Sequence, residues 1–325
     1  MRKVIGIGET VLDIIFRGDQ PISAMPGGST FNAIISLSRS GVPTSFISET
    51  GNDRVGQTII KFLKDNGCAA TSVNVYPESK SPLSLAFLNE QNDAEYVFYK
   101  DHPNDRLDFT YPDVQEDDIV LFGSYYALNP VIRQQVKGFL DYAHERGAIL
   151  YYDVNFRASH QHEAMKLRPN LLENFELADI VRGSSEDFEV LFKTMDATKI
   201  YRAEIAFYTR KFICTRAAEP VQLFADGGFS KQYAVPASET VSTIGAGDNF
   251  NAGFLYGLLL NGITRQQLEQ GLSEDQWDSI VSYGQQFSAE VCRSLYNYVS
   301  PEFGMARKND LAQREMLESP DNSET

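Results

Sequence analysis

The stretch VSTIGAGDNFNAGFLYGLLLNG, residues 241–262, decides how this chain reads. Gly245-Ala246-Gly247 frees the backbone to turn sharply and to point several N–H groups in one direction. From Asp248 onward the pattern is helical: Phe250, Phe254 and Leu258 recur every four residues, and Gly262 supplies a stop. A helix start offers unpaired N–H donors and a partial positive charge, which suits an anion. Asp248, at the joint, is placed to take a proton from a hydroxyl that attacks a phosphate held there. The plain alternative is a tight turn with an acidic helix cap.

Two other glycine patterns compete. Residues 4–9, VIGIGE, begin like a dinucleotide fingerprint, but Val11 occupies the place of the third glycine and Glu9 would face a pyrophosphate. Residues 51–58, GNDRVGQT, approach a P-loop and follow an apolar segment. Gln57 stands where a lysine must reach the phosphates, and Asp53 adds negative charge. A strand-to-helix turn is the better reading there.

The chain has 325 residues, 42% hydrophobic and 22% charged, the composition of a globular protein. No apolar run approaches the ~20 residues of a membrane span, and Glu9 and Asp13 interrupt any signal-peptide core. Cys68, Cys214 and Cys292 are odd in number and widely spaced, which predicts reduced thiols and a cytoplasmic location. A net charge of −15 argues against nucleic-acid and anionic-membrane partners. A bound nucleotide would then depend on local attraction: Mg²⁺, a few arginines and oriented N–H groups.

Along the chain, apolar strands alternate with helices. Strands are expected at 3–8, 44–48, 118–122, 148–153, 178–182, 211–215 and 221–225. Helices are expected at 30–39, 57–66, 129–145, 185–192 and 276–298. The alternation predicts an α/β fold with a mostly parallel sheet covered on both faces, ligands binding outside the carboxyl ends of the strands. Residues 84–100 break the rhythm with two β-rich runs around a polar turn at 89–93. They read as a hairpin in a separate small sheet. Residues 308–325 are polar and acidic and read as a frayed tail after a single domain spanning 1–307.

Separated signals now converge. GGSTFNA at 27–33 opens a helix on a glycine pair. Asp13 precedes it in an extended run at 11–17, DVNFR at 153–157 follows a buried strand, and Asp248 comes late. Together they read as a hydroxyl-binding cleft facing a phosphate pocket. With TGNDRVG at 50–56, ADIVRGSSED at 178–187 and STIGAGDNFNAGF at 242–254, the chain resembles the PfkB/ribokinase-like carbohydrate kinases over about residues 3–305. Within them it is most similar to fructokinases.

The resemblance implies a three-layer ribokinase-like fold with a small β-sheet lid, built within about 11–17 and 84–100, and ATP-dependent phosphorylation of a sugar. It implies that Asp248 is the catalytic base and that Gly245, Ala246 and Gly247 form the anion pocket. Asp13, Gly28 and Asn32 would hold sugar hydroxyls, with Arg157 near the phosphates or sugar. Ser184 and Asp187 would organise phosphates and, indirectly, Mg²⁺; Thr215 and Arg216 would lie beside the nucleotide. The lid implies a homodimer. Three departures stand out. Ser242 replaces an aspartate, which argues against a K⁺ site. Residues 215–220, TRAAEP, lack the glycines of the nucleotide element, so Ala217 fits only with a negative φ. Ser184 and Asp187 shorten an Asn-x-x-Glu pair. A non-catalytic sugar sensor and kinases for another sugar, a sugar phosphate or a nucleoside remain alternatives. His160 and His162 lack a third ligand and read as exposed side chains, and Trp277 reads as core.

Overall fold

The computed structural model describes residues 2–89, 94–101, 106–237 and 240–318. Its strands are β1 (Val4–Ile7), β2 (Val11–Arg17), β3 (Gln20–Gly27), β4 (Thr44–Gly51), β5 (Cys68–Ala69), β6 (Val73–Tyr76), β7 (Leu83–Leu88), β8 (Ala94–Tyr99), β9 (Ile119–Gly123), β10 (Ile149–Asp153), β11 (Ile180–Ser184), β12 (Phe212–Arg216), β13 (Glu219–Phe224) and β14 (Ser230–Tyr233). Its α-helices are α1 (Ser29–Arg39), α2 (Arg54–Asp65), α3 (Ser124–Leu128), α4 (Arg133–Glu145), α5 (Ala164–Leu177), α6 (Ser185–Phe192), α7 (Ala197–Ile200), α8 (Ala246–Leu260), α9 (Arg265–Gln270), α10 (Glu274–Cys292) and α11 (Pro301–Glu318).

Ten strands form one sheet in the order β14-β13-β12-β11-β10-β9-β1-β4-β5, with β6 also on β4. All pairs from β5 and β6 across to β12 are parallel, and β13 and β14 close the far edge antiparallel. The buried strands are apolar at successive residues because both faces are covered. Ile149 and Tyr151 join the core under α8 and α10, while Leu150 and Tyr152 join the core under α4 and α5. A second sheet, in the order β3-β2-β7-β8, stands apart. Here β2 runs parallel to β7, with antiparallel partners outside them.

α8 is buried along nearly its whole length, so its apolar stripe widens to the full circumference. Gly253 and Gly257 let α10 come close: a Cβ on Gly253 would collide with the Tyr283 carbonyl, and one on Gly257 would lie 2.9 Å from Ile280 Cα.

Several boundaries differ from the sequence reading. α2 begins at Arg54, because Asp53 caps it by accepting from the Gly56 N–H at 2.9 Å. The helix expected from 129 starts at Arg133, since Asn129 Oδ1 accepts from the Val131 N–H in a turn. α10 ends at Cys292, and residues 293–300 form an irregular connection. The segment from Lys308, expected as a tail, continues α11 to Glu318. Leu311 is buried, and Arg314 donates to the Leu259 carbonyl, so this helix packs on the body. Residues 90–93 of the expected lid turn and 319–325 of the expected tail lie outside the described residues.

Candidate active site

The carboxyl ends of β1, β10, β11 and β12 present their loops on one rim of the parallel sheet, as a ligand site in such sheets requires. Three of the six non-glycine residues with positive φ among the described residues stand on that rim. Ser124, Asn155 and Ala217, each just past a strand end, have φ of 53°, 35° and 39°.

The head of α8 faces this rim. Gly245 is its N-cap at φ 76°, with no side chain capping it. A Cβ there would lie 2.9 Å from the Asn297 carbonyl, so glycine is required by both conformation and space. The Ala246 N–H turns back to the Thr243 carbonyl at 3.2 Å. The N–H groups of Gly247 and Asp248 have no acceptor within the helix and stand at its positive end.

Asp248, buried in the first turn of α8, accepts from Asn32 Nδ2 at 2.8 Å. Asn32 comes from α1, whose N-cap is Gly28 at φ 129°, a position where a Cβ would strike the Glu9 carbonyl. Burial raises the Asp248 carboxyl to about 6, while Asn32 and the Arg157 charge pull it down. Asp13, on β2 of the small sheet, is also buried. Its carboxyl rises to about 7, through burial first and then through the nearby charge of Asp248; the Ser84 hydroxyl and the Asn297 amide oppose the rise. Two buried carboxyls whose charges bear on each other, both raised toward neutrality by burial, thus accompany an anion-friendly helix end. Asn32 Oδ1 is buried without a partner among the described residues.

The residues that the sequence reading expected beside a nucleotide fall on adjacent strand ends. Ser184 and Thr215 are register partners across β11 and β12. Ser184 and Asp187 form a capping box: the Ser184 N–H donates to Asp187 Oδ2 at 2.7 Å, and the Asp187 N–H donates to Ser184 Oγ at 3.2 Å. Burial raises Asp187 to about 6, with the Asp153 charge adding to it. Among the described residues no group of three or more His, Cys, Asp or Glu is arranged to hold a metal ion. Arg216 is exposed and pairs in register with Glu219 across a two-residue hairpin. Ala217 does not meet the condition of a negative φ; it takes the left-handed region that a glycine would occupy. Ser242 is buried and its Oγ accepts from the Ile244 N–H at 3.2 Å, so a neutral turn stands at this position. Arg157 is exposed, near enough to Asp248 to act on its charge. His160 is half-buried rather than exposed. It stacks on Tyr125 at 3.9 Å and contacts Glu163 at 3.3 Å; His162 is exposed.

Two residues of the site escaped the sequence reading. Arg182 is buried between Asp153, to which it donates at 2.9 Å, and Thr215 Oγ1 at 2.6 Å. Burial works against its charge, yet Asp153 holds it protonated. Gly247 lies against it, since a Cβ there would be 3.0 Å from Nη2, and its Nε has no partner among the described residues. The available signal was an arginine inside the apolar run of β11. Asn297 donates to Asp13 Oδ2 at 3.0 Å from a connection with no periodicity and left no signal.

The sequence profile of the pfkB family carbohydrate kinases matches residues 1–295. The chain belongs to this family. It is a sugar kinase with the ribokinase-like α/β fold. It is 27% identical over 259 residues to a 5-dehydro-2-deoxygluconokinase of Geobacillus kaustophilus, covering 75% of this chain and 76% of the relative. It is 25% identical over 288 residues to a probable chloroplastic fructokinase of Arabidopsis thaliana, covering 83% and 73%. The crystal structure of a Vibrio cholerae fructokinase with fructose, ADP and calcium ion bound superposes with a TM-score of 0.79. That structure is 20% identical, and the match covers 94% of this chain and 98% of the other. Among the described residues no helix is long and apolar enough to cross a membrane.

Proposed function

We propose that this sugar kinase transfers the γ-phosphoryl group of ATP to a hydroxyl of a neutral sugar, with fructose the leading acceptor. The observation that carries the reading is Asp248: a buried carboxylate raised to about 6 at the open head of α8 and steadied by Asn32. Its ionised form accepts the hydroxyl proton. The hydroxyl oxygen then bonds to the γ-phosphorus as the bond to the ADP oxygen breaks. The N–H groups of Gly247 and Asp248, behind the turn at Gly245 and Ala246, receive the spreading charge, and Arg182 adds a fixed cation beside them. Asp13, Gly28 and Asn32 hold acceptor hydroxyls, and Arg157 lies at the rim where phosphate charge collects.

The triphosphate fits this head: the helix end is bare of side chains, and a buried arginine with an unpartnered Nε backs it. Ser184, Asp187, Thr215 and Arg216 line the nucleotide side. Mg²⁺, carried on the nucleotide, supplies neutralisation of phosphate charge. Asp187, locked in its capping box, acts on it only through that scaffold.

Acceptor charge favours fructose over the sugar acid of the Geobacillus relative. Asp13, Asp248 and Glu9 bear on one another, and Lys100 is already paired with Glu9 at 2.7 Å. These three groups, when ionised, would oppose an anionic acceptor. ADP release measured with fructose, ribose, 5-dehydro-2-deoxygluconate, a sugar phosphate and adenosine tests the reading. Fructose is expected to give the highest kcat/KM; turnover of the sugar acid alone would overturn the choice of acceptor, and sugar binding without ADP release would point to a sensor. Ile22, Val97, Phe98 and Tyr99 leave apolar surface on the small sheet, which supports a homodimer through it. A monomer by light scattering at micromolar concentration removes that part.

A further inference from the structure

Asn297 lies in the connection between α10 and α11, outside every motif of the sequence, and is 1% exposed. Its side chain and its backbone reach opposite halves of the site. Nδ2 donates to Asp13 Oδ2 at 3.0 Å. Its carbonyl accepts from Asn249 Nδ2 at 2.8 Å, and the same Nδ2 also donates to the Gly245 carbonyl at 2.8 Å. Gly245 packs directly on Asn297, with room for no Cβ between them. The flanking residues pin the connection. The Val299 N–H donates to Ser36 Oγ at 3.1 Å, and Arg39 donates to the Val299 carbonyl at 2.6 Å while covering the Tyr298 ring at 4.7 Å.

The geometry points to Asn297 as a positioning residue for phosphoryl transfer, one that fixes the acceptor-side Asp13 against the Gly245 turn. This rests on the proposed reading that Asp13 holds the acceptor. The amide engages Asp13 Oδ2 while the Asn297 backbone packs on Gly245, so acceptor and anion pocket are spaced by a single residue. The groups facing Asp13 come from every neighbouring element: Asp248 on α8, Glu9 after β1, Ser84 on β7, Tyr96 on β8 and Tyr298 beside Asn297. Asp248 and Glu9 oppose ionisation of Asp13, whereas Ser84 and Asn297 favour it. Removing the Asn297 donor therefore moves the Asp13 titration upward, an effect that a residue acting only in folding would not produce.

The test compares wild type with Asn297→Leu and the near-isosteric Asn297→Asp, first without substrate. The Asp13 carboxyl is followed by ¹³C NMR across pH, its signal assigned with Asp13→Asn. In Asn297→Leu the titration is expected about one pH unit above wild type. In Asn297→Asp two carboxyls share a proton, and one step moves higher still. In turnover at neutral pH, the acceptor KM of Asn297→Leu rises about tenfold while the ATP KM stays within about twofold. An unmoved Asp13 titration in folded variants overturns the inference, as does a moved titration with an unchanged acceptor KM. A moved titration in a protein whose wild type phosphorylates no sugar supports the Asn297–Asp13 coupling and sinks the proposed activity instead. Should Asn297→Leu fail to fold, Asn297→Asp carries the measurement.

Discussion

Two helices of this molecule start from nearly the same sequence signal, glycine and aspartate at a turn, and they use it in opposite ways. At α2 the aspartate is the N-cap. Asp53 accepts from the Gly56 N–H at 2.9 Å, from the Ser81 N–H at 2.9 Å and from Ser81 Oγ at 2.7 Å, so its carboxylate is consumed by structure. At α8 the N-cap is Gly245, which offers no side chain, and the aspartate stands three residues further on. Asp248 does not fold back over the helix end; it accepts from Asn32 of another helix, and among the described residues no side chain caps α8. Capping and the proposed base role are thus alternative uses of one carboxylate, set apart by its offset from the helix start.

The largest expected break in this contrast is Asp248→Asn, which keeps an acceptor for Asn32 but removes the base. The value of kcat is expected to fall about 10²–10⁴-fold with the melting temperature little changed; steady-state ADP release with a parallel thermal scan checks it. In wild type, kcat is expected to follow the ionised form of Asp248, declining as pH falls through about 6. A pH–rate profile at saturating substrates reads this limb, and Asp248→Asn flattens it. Asp53→Ala should do the reverse: a loss of about 1–2 kcal/mol in denaturant unfolding with kcat preserved. The smallest effect is expected at the strained hairpin. Ala217→Gly relieves a φ of 39° and gains roughly 0.5–1 kcal/mol, readable in the same unfolding assay.

The α/β class, the separate small sheet and the head of α8 were legible because each has a local signature: apolar runs, a break in alternation, and glycines before a helical period. Strand β3 was not. QPISAMPG carries two prolines and little alternation, and it is held only as an edge strand on β2 across the turn at Gly18, where φ is 59°. The part of α11 from Lys308 reads as a tail since its polar faces dominate; scattered anchors hold the helix, among them Leu311 and the Arg307 carbonyl, which accepts from the Tyr256 hydroxyl. At the site, Asp248, Asn32 and Asp13 announce themselves through motif spacing. Arg182 shows only as a charge inside a buried strand. Asn297 meets Asp13 from 284 residues away in the chain, a pairing that no local pattern encodes.

The close seat of α8 on α10 has a bearing on how such an enzyme can change. With glycines at 253 and 257 touching the neighbouring backbone, the helix has no slack: a single added methyl would push it outward and carry Asp248, the proposed base, with it. A displacement of about 1 Å at a reacting centre costs on the order of a hundredfold in rate. The long helix therefore serves as a fixed datum, and on the proposed reading the freedom to explore new acceptors belongs to the small sheet that bears Asp13.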